Sequence, residues 1–256
     1  MPKFFTSPDH ITDHILTIDS PDVAHIWKVL RLTPGDVITV CDGRGFDYQA
    51  RIQAIGDGTV RCEILEKTPV AAEPAIQVTL YQGLPKAAKM DYIIQKTTEL
   101  GIVRIVPCIM ERCVVKLEDP KAEAKKTARW QKIAEEAAKQ SGRGIIPTVS
   151  APMRFSEAVH RMREDDICFA PYECEEQGVL RAVLTKQDNI RRVSFMVGPE
   201  GGFSLSEAEA LRAAGIPTVT LGPRILRTET AGEAVLAMVM YEIGDVNGGK
   251  ENAENQ

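Results

Sequence analysis

This chain is poor in histidine and lacks Cys-x-x-Cys pairs and long apolar runs, and each shortage removes a class of function. No apolar stretch approaches the roughly 20 residues needed to cross a bilayer. The opening Met1-Pro2-Lys3-Phe4-Phe5-Thr6-Ser7-Pro8 has no apolar core of the kind a secretory signal carries. Both absences lead us to expect a cytoplasmic protein with no membrane partner. The six cysteines (Cys41, Cys62, Cys108, Cys113, Cys168 and Cys174) include no Cys-x-x-Cys pair and no histidine at zinc-finger spacing. They are expected to be buried, reduced thiols, and no metal is expected. The four histidines are His10, His14, His25 and His160, the last on an amphipathic segment from Phe155 to Arg163. No Gly-x-Ser-x-Gly, His-Glu-x-x-His or calcium-loop pattern is present. Hydrolysis by a Ser-His pair or by bound zinc therefore has no support.

A net charge of −5 argues against indiscriminate nucleic-acid binding, but the charge is uneven. Residues 84–143 carry 13 basic and 8 acidic side chains, whereas residues 1–70 carry 7 and 10. The basic middle reads either as a phosphate-facing surface or as a solvated helix face.

Residues 1–72 read as a small barrel of short strands. Ser20-Pro21-Asp22 is a helix start, with a serine cap and proline in the first turn, leading through His25, Trp27 and Leu30. Val37–Cys41 and Phe46–Ala54 are strands joined by the turn Asp42-Gly43-Arg44-Gly45, and Thr59–Leu65 is a third. Thr68 to Pro74 reads as a linker. From residue 73 to residue 246 strands alternate with helices, which implies an α/β domain with a buried parallel sheet. Met90, Ile93, Ile94, Thr97 and Leu100 share one helical face ahead of Gly101, and Pro120 to Lys139 is a long basic amphipathic helix. Short apolar runs at Ile76–Tyr81, Val103–Ile109, Ile167–Ala170, Val193–Val197 and Thr218–Leu221 supply the strands. Residues 247–256 are a polar, loose tail.

Two loops carry the chemistry. Val197-Gly198-Pro199-Glu200-Gly201-Gly202-Phe203-Ser204 follows an apolar strand and leads into a helix that Ser204 and Glu207 open as a capping box. Glycines at the C-terminal end of a buried strand let a ligand approach the backbone, and open α/β sheets bind ligands there. The loop matches neither a dinucleotide nor a phosphate-loop pattern, so it reads as a small-molecule site or a tight structural turn. The second loop, Leu221 to Glu233, holds Arg224, Arg227 and Glu229 between a strand and the last helix, which Thr230 and Glu233 are expected to cap. Those charged residues read as catalytic or as an ion-paired group, Glu229 being either a proton acceptor or a structural partner of Arg224 or Arg227. The last helix is apolar on nearly every face, which fits burial in the core or between subunits.

At these loops the sequence resembles the ribosomal RNA small subunit methyltransferase E family of knotted SPOUT methyltransferases. The resemblance extends to Gly83–Lys86, Ile94–Gly101, Glu111–Lys116 and Trp130–Gln140, and spans about residues 20 to 244. It implies a PUA-like N-terminal β-barrel for RNA and a C-terminal α/β domain with a deep trefoil knot. It also implies a homodimer that uses S-adenosylmethionine to methylate uracil N3 of 16S rRNA in the small ribosomal subunit. By matching positions the cofactor site takes in Ala170, Tyr172, Val197, Gly198, Glu200, Gly201, Gly202, Leu221, Gly222, Ile225, Leu226 and Thr228. Glu229 is the expected proton acceptor, with Arg227 or Arg224 stabilising the developing anion. Lys86, Lys89, Arg112, Lys116 and Arg143, all in the basic stretch, are the expected phosphate contacts. Two other classes stay open: an RNA-binding assembly module without cofactor, and a nucleotide-dependent enzyme using Gly198–Gly202 for phosphate.

Overall fold

A computed structural model of the chain describes residues 3–19, 21–115 and 119–246. The expected cap at Ser20, the expected phosphate contact at Lys116 and the tail 247–256 lie outside the described residues. The chain divides into two units: residues 1–73 with 138–146, and residues 74–137 with 147–256. Residues 138–146, expected in the second domain, pack with the first. The cause is Glu73, whose carboxylate accepts from Arg143 Nη2 at 2.7 Å and from the backbone N–H groups of Gly144 and Ile145.

The first unit is built on β1 (Lys3–Phe5), β2 (Ile15–Ile18), β3 (Val37–Cys41), β4 (Phe46–Gly56) and β5 (Thr59–Pro69), in the sheet order β1-β3-β4-β5-β2. Alternation sets the register: Ile38, Val40, Tyr48, Ala50, Ile52, Val60 and Cys62 point inward onto Leu16, Ile18 and Ile26. Each such aliphatic side chain contributes about 1.5–3 kcal/mol on burial. The β3–β4 turn forms because the Asp42 carboxylate accepts from the N–H groups of Arg44 and Phe46, while Gly43 and Gly45 take left-handed φ values of +69° and +102°. The hydroxyl of Thr6 donates to the carbonyl of Thr17, linking the strands at the two ends of the sheet order. Two expectations change here. The strand expected to end at Leu65 continues to Pro69, because β4 is long enough to pair Thr68 and Pro69, so a linker does not begin at Thr68. The expected helix through Leu30 is a short α1 (Asp22–Ala24) followed by a π-helical turn over His25–Val29.

The second unit has a parallel sheet in the order β12-β10-β11-β6-β7-β8, from β6 (Gln77–Gly83), β7 (Arg104–Ile109), β8 (Thr148–Val149), β10 (Ile167–Pro171), β11 (Arg192–Val197) and β12 (Thr218–Val219). The two-residue β9 (Met153–Arg154) pairs with β7. Both faces are covered, which is why these strands read as unbroken apolar runs. Leu80, Phe169 and Phe195 pack against α2 (Lys89–Glu99), α3 (Pro120–Gln140), α5 (Leu180–Leu184) and α7 (Thr228–Ile243). Tyr81, Val106 and Met196 pack against α4 (Phe155–Met162) and α6 (Leu205–Ala213). Gly101 (φ +95°) and Gly215 (φ +78°) end α2 and α6 in the left-handed conformation that turns the next N–H groups, of Ile102 and Ile216, back onto the Thr97 and Leu211 carbonyls.

All six cysteines are free. Cys41, Cys62 and Cys108 are buried, and burial pushes the Cys41 and Cys62 thiols up to about 12. Cys174 departs from the expectation of burial and is exposed. His160 is an exposed residue of α4, 4.0 Å from Glu164. Among the described residues no helix is long and apolar enough to cross a membrane, and no cluster of three metal-ligating side chains occurs.

Candidate active site

Parallel strands present all their C-terminal ends on one edge of the sheet, and there the loops after β10, β11 and β12 converge on a pocket of about 750 Å³. Tyr172, Val197, Gly198, Glu200, Gly201, Gly202, Leu221, Gly222, Ile225, Leu226 and Thr228 all line it, as do Arg224 and Arg227. Ala170 does not. It is fully buried within β10, its methyl directed into the α4/α6 core by the strand's alternation, and is corrected to a packing residue.

The α6 start is the expected capping box, with the Ser204 hydroxyl accepting from the Glu207 N–H and Glu207 accepting from the Ser204 N–H. The α7 start is not. The helix begins at Thr228 with Arg227 at its cap, and no side chain caps it. Glu233 instead accepts from the Tyr92 hydroxyl at 3.1 Å. Buried Thr228 explains the earlier start. Its hydroxyl donates to the Gly198 carbonyl at 2.6 Å and accepts from Gln82 Nε2 at 2.8 Å. Gln82, fully buried at the end of β6, thus ties the glycine loop to the head of α7. Its Oε1 has no hydrogen-bond partner among the described residues. Sequence reasoning missed Gln82, and the available signal was an amide inside an otherwise apolar strand.

Lys89 is the largest departure from the expected roles. Its ammonium stands 3.2 Å from Glu200 Oε1 and 3.2 Å from Glu229 Oε2, so it joins the start of α2, the glycine loop and the first turn of α7. Pairing with Glu200 foremost, and with Glu229, raises the Lys89 ammonium above its ordinary value against partial desolvation. Burial alone would raise the Glu200 carboxyl, but the N–H groups of Lys86 and of Glu200 itself, with Lys89, hold it below its ordinary value. The Glu229 oxygen is sealed from solvent and makes no well-directed hydrogen bond. Lys89 reaches it at ion-pair distance only. Glu229 is therefore partnered by a lysine and not by Arg224 or Arg227. Both arginines are exposed residues with no ion pair among the described residues.

The remaining expected phosphate contacts separate. Lys86 is exposed, its backbone N–H donates to Glu200 at 3.0 Å, and its ammonium makes no ion pair among the described residues. Arg112 donates from Nη1 to the Gly201 carbonyl at 2.8 Å and lies against Gly201, where an added Cβ would come within 3.0 Å of it. Arg143 is 2% exposed, with its guanidinium on Glu73, and is corrected to a structural residue.

A second carboxylate cluster braces the pocket wall. Glu175 accepts from the Thr218 hydroxyl, the N–H groups of Gln177 and Gly178, and Arg212. These bonds, the Thr218 hydroxyl foremost, hold its carboxyl at about 2. A depressed folded-state value means the stabilisation is complete above the ordinary carboxylate range and is lost as pH falls towards about 2. Acid unfolding followed by circular dichroism should show a shallower loss of stability over that window in Glu175→Gln. Equal acid slopes in the two proteins would remove Glu175 from that role.

The chain resembles known proteins in sequence and fold. An RNA methyltransferase domain model matches residues 72–240, and an RNA methyltransferase PUA domain model matches residues 18–65. The ribosomal RNA small subunit methyltransferase E of Bacillus subtilis is 39% identical over 230 residues, 88% of this chain and 90% of that protein. Its namesake in Aquifex aeolicus is 34% identical, over 89% and 94%. The crystal structure of the Neisseria gonorrhoeae ribosomal RNA small subunit methyltransferase E bound to S-adenosylmethionine superposes with a TM-score of 0.81 at 34% identity, covering 96% of this chain and 99% of that one. Fold and pocket thus define an RNA methyltransferase domain. The chain belongs to the ribosomal RNA small subunit methyltransferase E family.

Proposed function

We propose that this chain is a cytoplasmic, homodimeric enzyme that transfers a methyl group from S-adenosylmethionine to uracil N3 of 16S rRNA in the small ribosomal subunit. The five-stranded sheet is its PUA-like barrel, a reading supported by the Thr6–Thr17 bond between the end strands. The pocket loops are the deep trefoil knot of the family. The outer face of α7, where Met238 and Tyr241 are 44% and 62% exposed, is the dimer surface.

One observation carries the reading: a pocket of small-molecule size, at the C-terminal ends of parallel strands, with the Lys89–Glu200 ion pair on its wall and Glu229 reached from it through Lys89. The residues present fit the cofactor. Leu221, Ile225 and Leu226 offer apolar surface for an adenine ring, and the charged side chains on the walls match a zwitterionic amino-acid arm. Gly202, at φ +66°, brings its bare Cα against the Glu173 carboxylate, where a Cβ would stand 2.3 Å from Oε1. When bound, the cofactor supplies an electrophilic methyl group.

This chain's residues supply the rest. Uracil N3 carries a proton at neutral pH, and Glu229 accepts it. Arg227, at the α7 cap, and Arg224, one turn of loop earlier, stabilise the imide anion that develops. Gln82 and Thr228 hold the two loops at fixed spacing, which orients the base against the methyl group. The test is calorimetric titration with S-adenosylmethionine, followed by transfer of labelled methyl to unmethylated small subunits. A folded protein that neither binds the cofactor nor labels the subunits sinks the proposal and leaves the assembly-module class standing.

Lys86 and Arg112 should part company in the same assays. Lys86→Ala should weaken RNA binding and reduce the slope of log K against log salt by about 0.7–0.9. Arg112→Ala, which frees the Gly201 carbonyl, should raise the cofactor Kd as well. Unchanged cofactor affinity in Arg112→Ala would return that residue to a pure phosphate role.

A further inference from the structure

A basic, aromatic projection on the first unit has no part in the site described above. Between Val23 and Gly35 the chain carries His25, Lys28 and Arg31 and no acidic residue, although residues 1–70 as a whole are acidic. Its centre is the π-helical turn His25–Val29, closed by the Leu30 N–H donating to the His25 carbonyl at 2.9 Å. Its hydrogen bond spans one residue more than an α-helical one, which shifts the side-chain phase, and such turns are frequent at functional sites. Here Ile26 is fully buried while Trp27 and Val29 stand 57% and 64% exposed. The Lys28 ammonium lies 5.7 Å from the Trp27 ring centre. Arg31 then takes a left-handed φ of +56°, a conformation non-glycine residues rarely adopt. Among the described residues neither Lys28 nor Arg31 forms an ion pair.

We infer that Trp27 is a stacking platform for an unpaired base of the RNA substrate, with Lys28 and Arg31 on the flanking phosphates. An exposed indole face suits a nucleobase because every base offers a π-face, and adjacent unpaired cations supply the attraction to the strand. A second copy of this chain would bring its own Lys28 and Arg31 against these like charges, which disfavours it as the occupant. The inference rests on the RNA-methylating function above and adds to it a substrate-holding site on the PUA domain.

The chain has two tryptophans, and Trp130 is buried, so Trp27 emission reports on stacking directly. Full-length protein is titrated with a short single-stranded RNA, binding being followed separately by anisotropy of a label on the RNA. Emission is expected to fall as the complex forms. In methyl transfer to small subunits, Trp27→Ala should raise KM about 10-fold or more with kcat and S-adenosylmethionine Kd unchanged. Trp27→Phe, which keeps a ring, should stay near wild type. The Lys28→Ala/Arg31→Ala double variant should flatten the salt dependence by about 0.7 per lost contact. The inference is overturned by an unchanged KM in Trp27→Ala, by equal losses in the Ala and Phe variants, or by unaltered emission in an RNA complex seen by anisotropy. Emission that shifts on dilution of the protein alone would overturn it in favour of self-association. A wild type that methylates no subunits is a failure of the enzymatic reading, and the emission titration, which uses no cofactor, is independent of it.

Discussion

Replacing Glu229 by glutamine should lower kcat about 100-fold or more, the usual contribution of a positioned general base, and leave S-adenosylmethionine binding intact. Glutamine keeps the shape of the side chain in the first turn of α7 and removes its charge and its capacity to accept the N3 proton. Lys89 retains Glu200 as a partner, so the start of α2 and the glycine loop remain joined in the variant. A fall in kcat with an unchanged cofactor Kd would therefore mark loss of proton transfer and not of pocket structure. Full turnover with intact binding would reassign Glu229 to holding Lys89 in place. Subunits premethylated at the target base give the background in the transfer assay.

The residues that sequence reasoning placed correctly and those it misplaced differ in one physical respect. Buried parallel strands are legible because nearly every residue of β6, β10 and β11 after the first faces a covered side, and the apolar run is local information. The α6 start is equally local, since Ser204 and Glu207 are one turn apart. Charge is not local in this sense. Lys89 and Arg143 sit in a basic stretch and read as phosphate contacts, yet carboxylates brought from elsewhere in the chain, Glu200 and Glu229 for one and Glu73 for the other, occupy them. Thr230 and Glu233 have capping-box spacing but lose to Thr228, whose hydroxyl is claimed by Gln82 and Gly198 across the sheet edge. The π-helical turn leaves no mark because its composition is that of an ordinary helix. The pocket loops themselves were readable, since glycine, proline and paired charges directly after apolar strands have few structural reasons to occur together.

Gly83→Ala should weaken S-adenosylmethionine binding about 10-fold or more although Gly83 does not line the pocket. It ends β6 beneath the glycine loop, and a Cβ there would stand 2.6 Å from both the backbone nitrogen and Cδ of Pro199 and 2.7 Å from Met110 Sδ. The methionine can swing away, but the Pro199 nitrogen belongs to the loop backbone, so Gly198 to Gly202 must move as a unit. Overpacking of this kind costs about 1–3 kcal/mol of stability, and that loss must be separated from the effect on the pocket. Gly215→Ala provides the separation. Gly215 ends α6 at φ +78° with open space around its Cα and lies outside the pocket lining, so an alanine there strains the backbone by about 1 kcal/mol and displaces no loop. Thermal melts and calorimetry on the two variants should show both with lowered Tm and only Gly83→Ala with lowered affinity. If affinity tracks Tm alike in both, the close approach of Gly83 to Pro199 does not set the loop position. If Gly83→Ala binds as the wild type does, the loop is free to shift without cost, and the fixed spacing assigned to Gln82 and Thr228 must carry the whole organisation of the site.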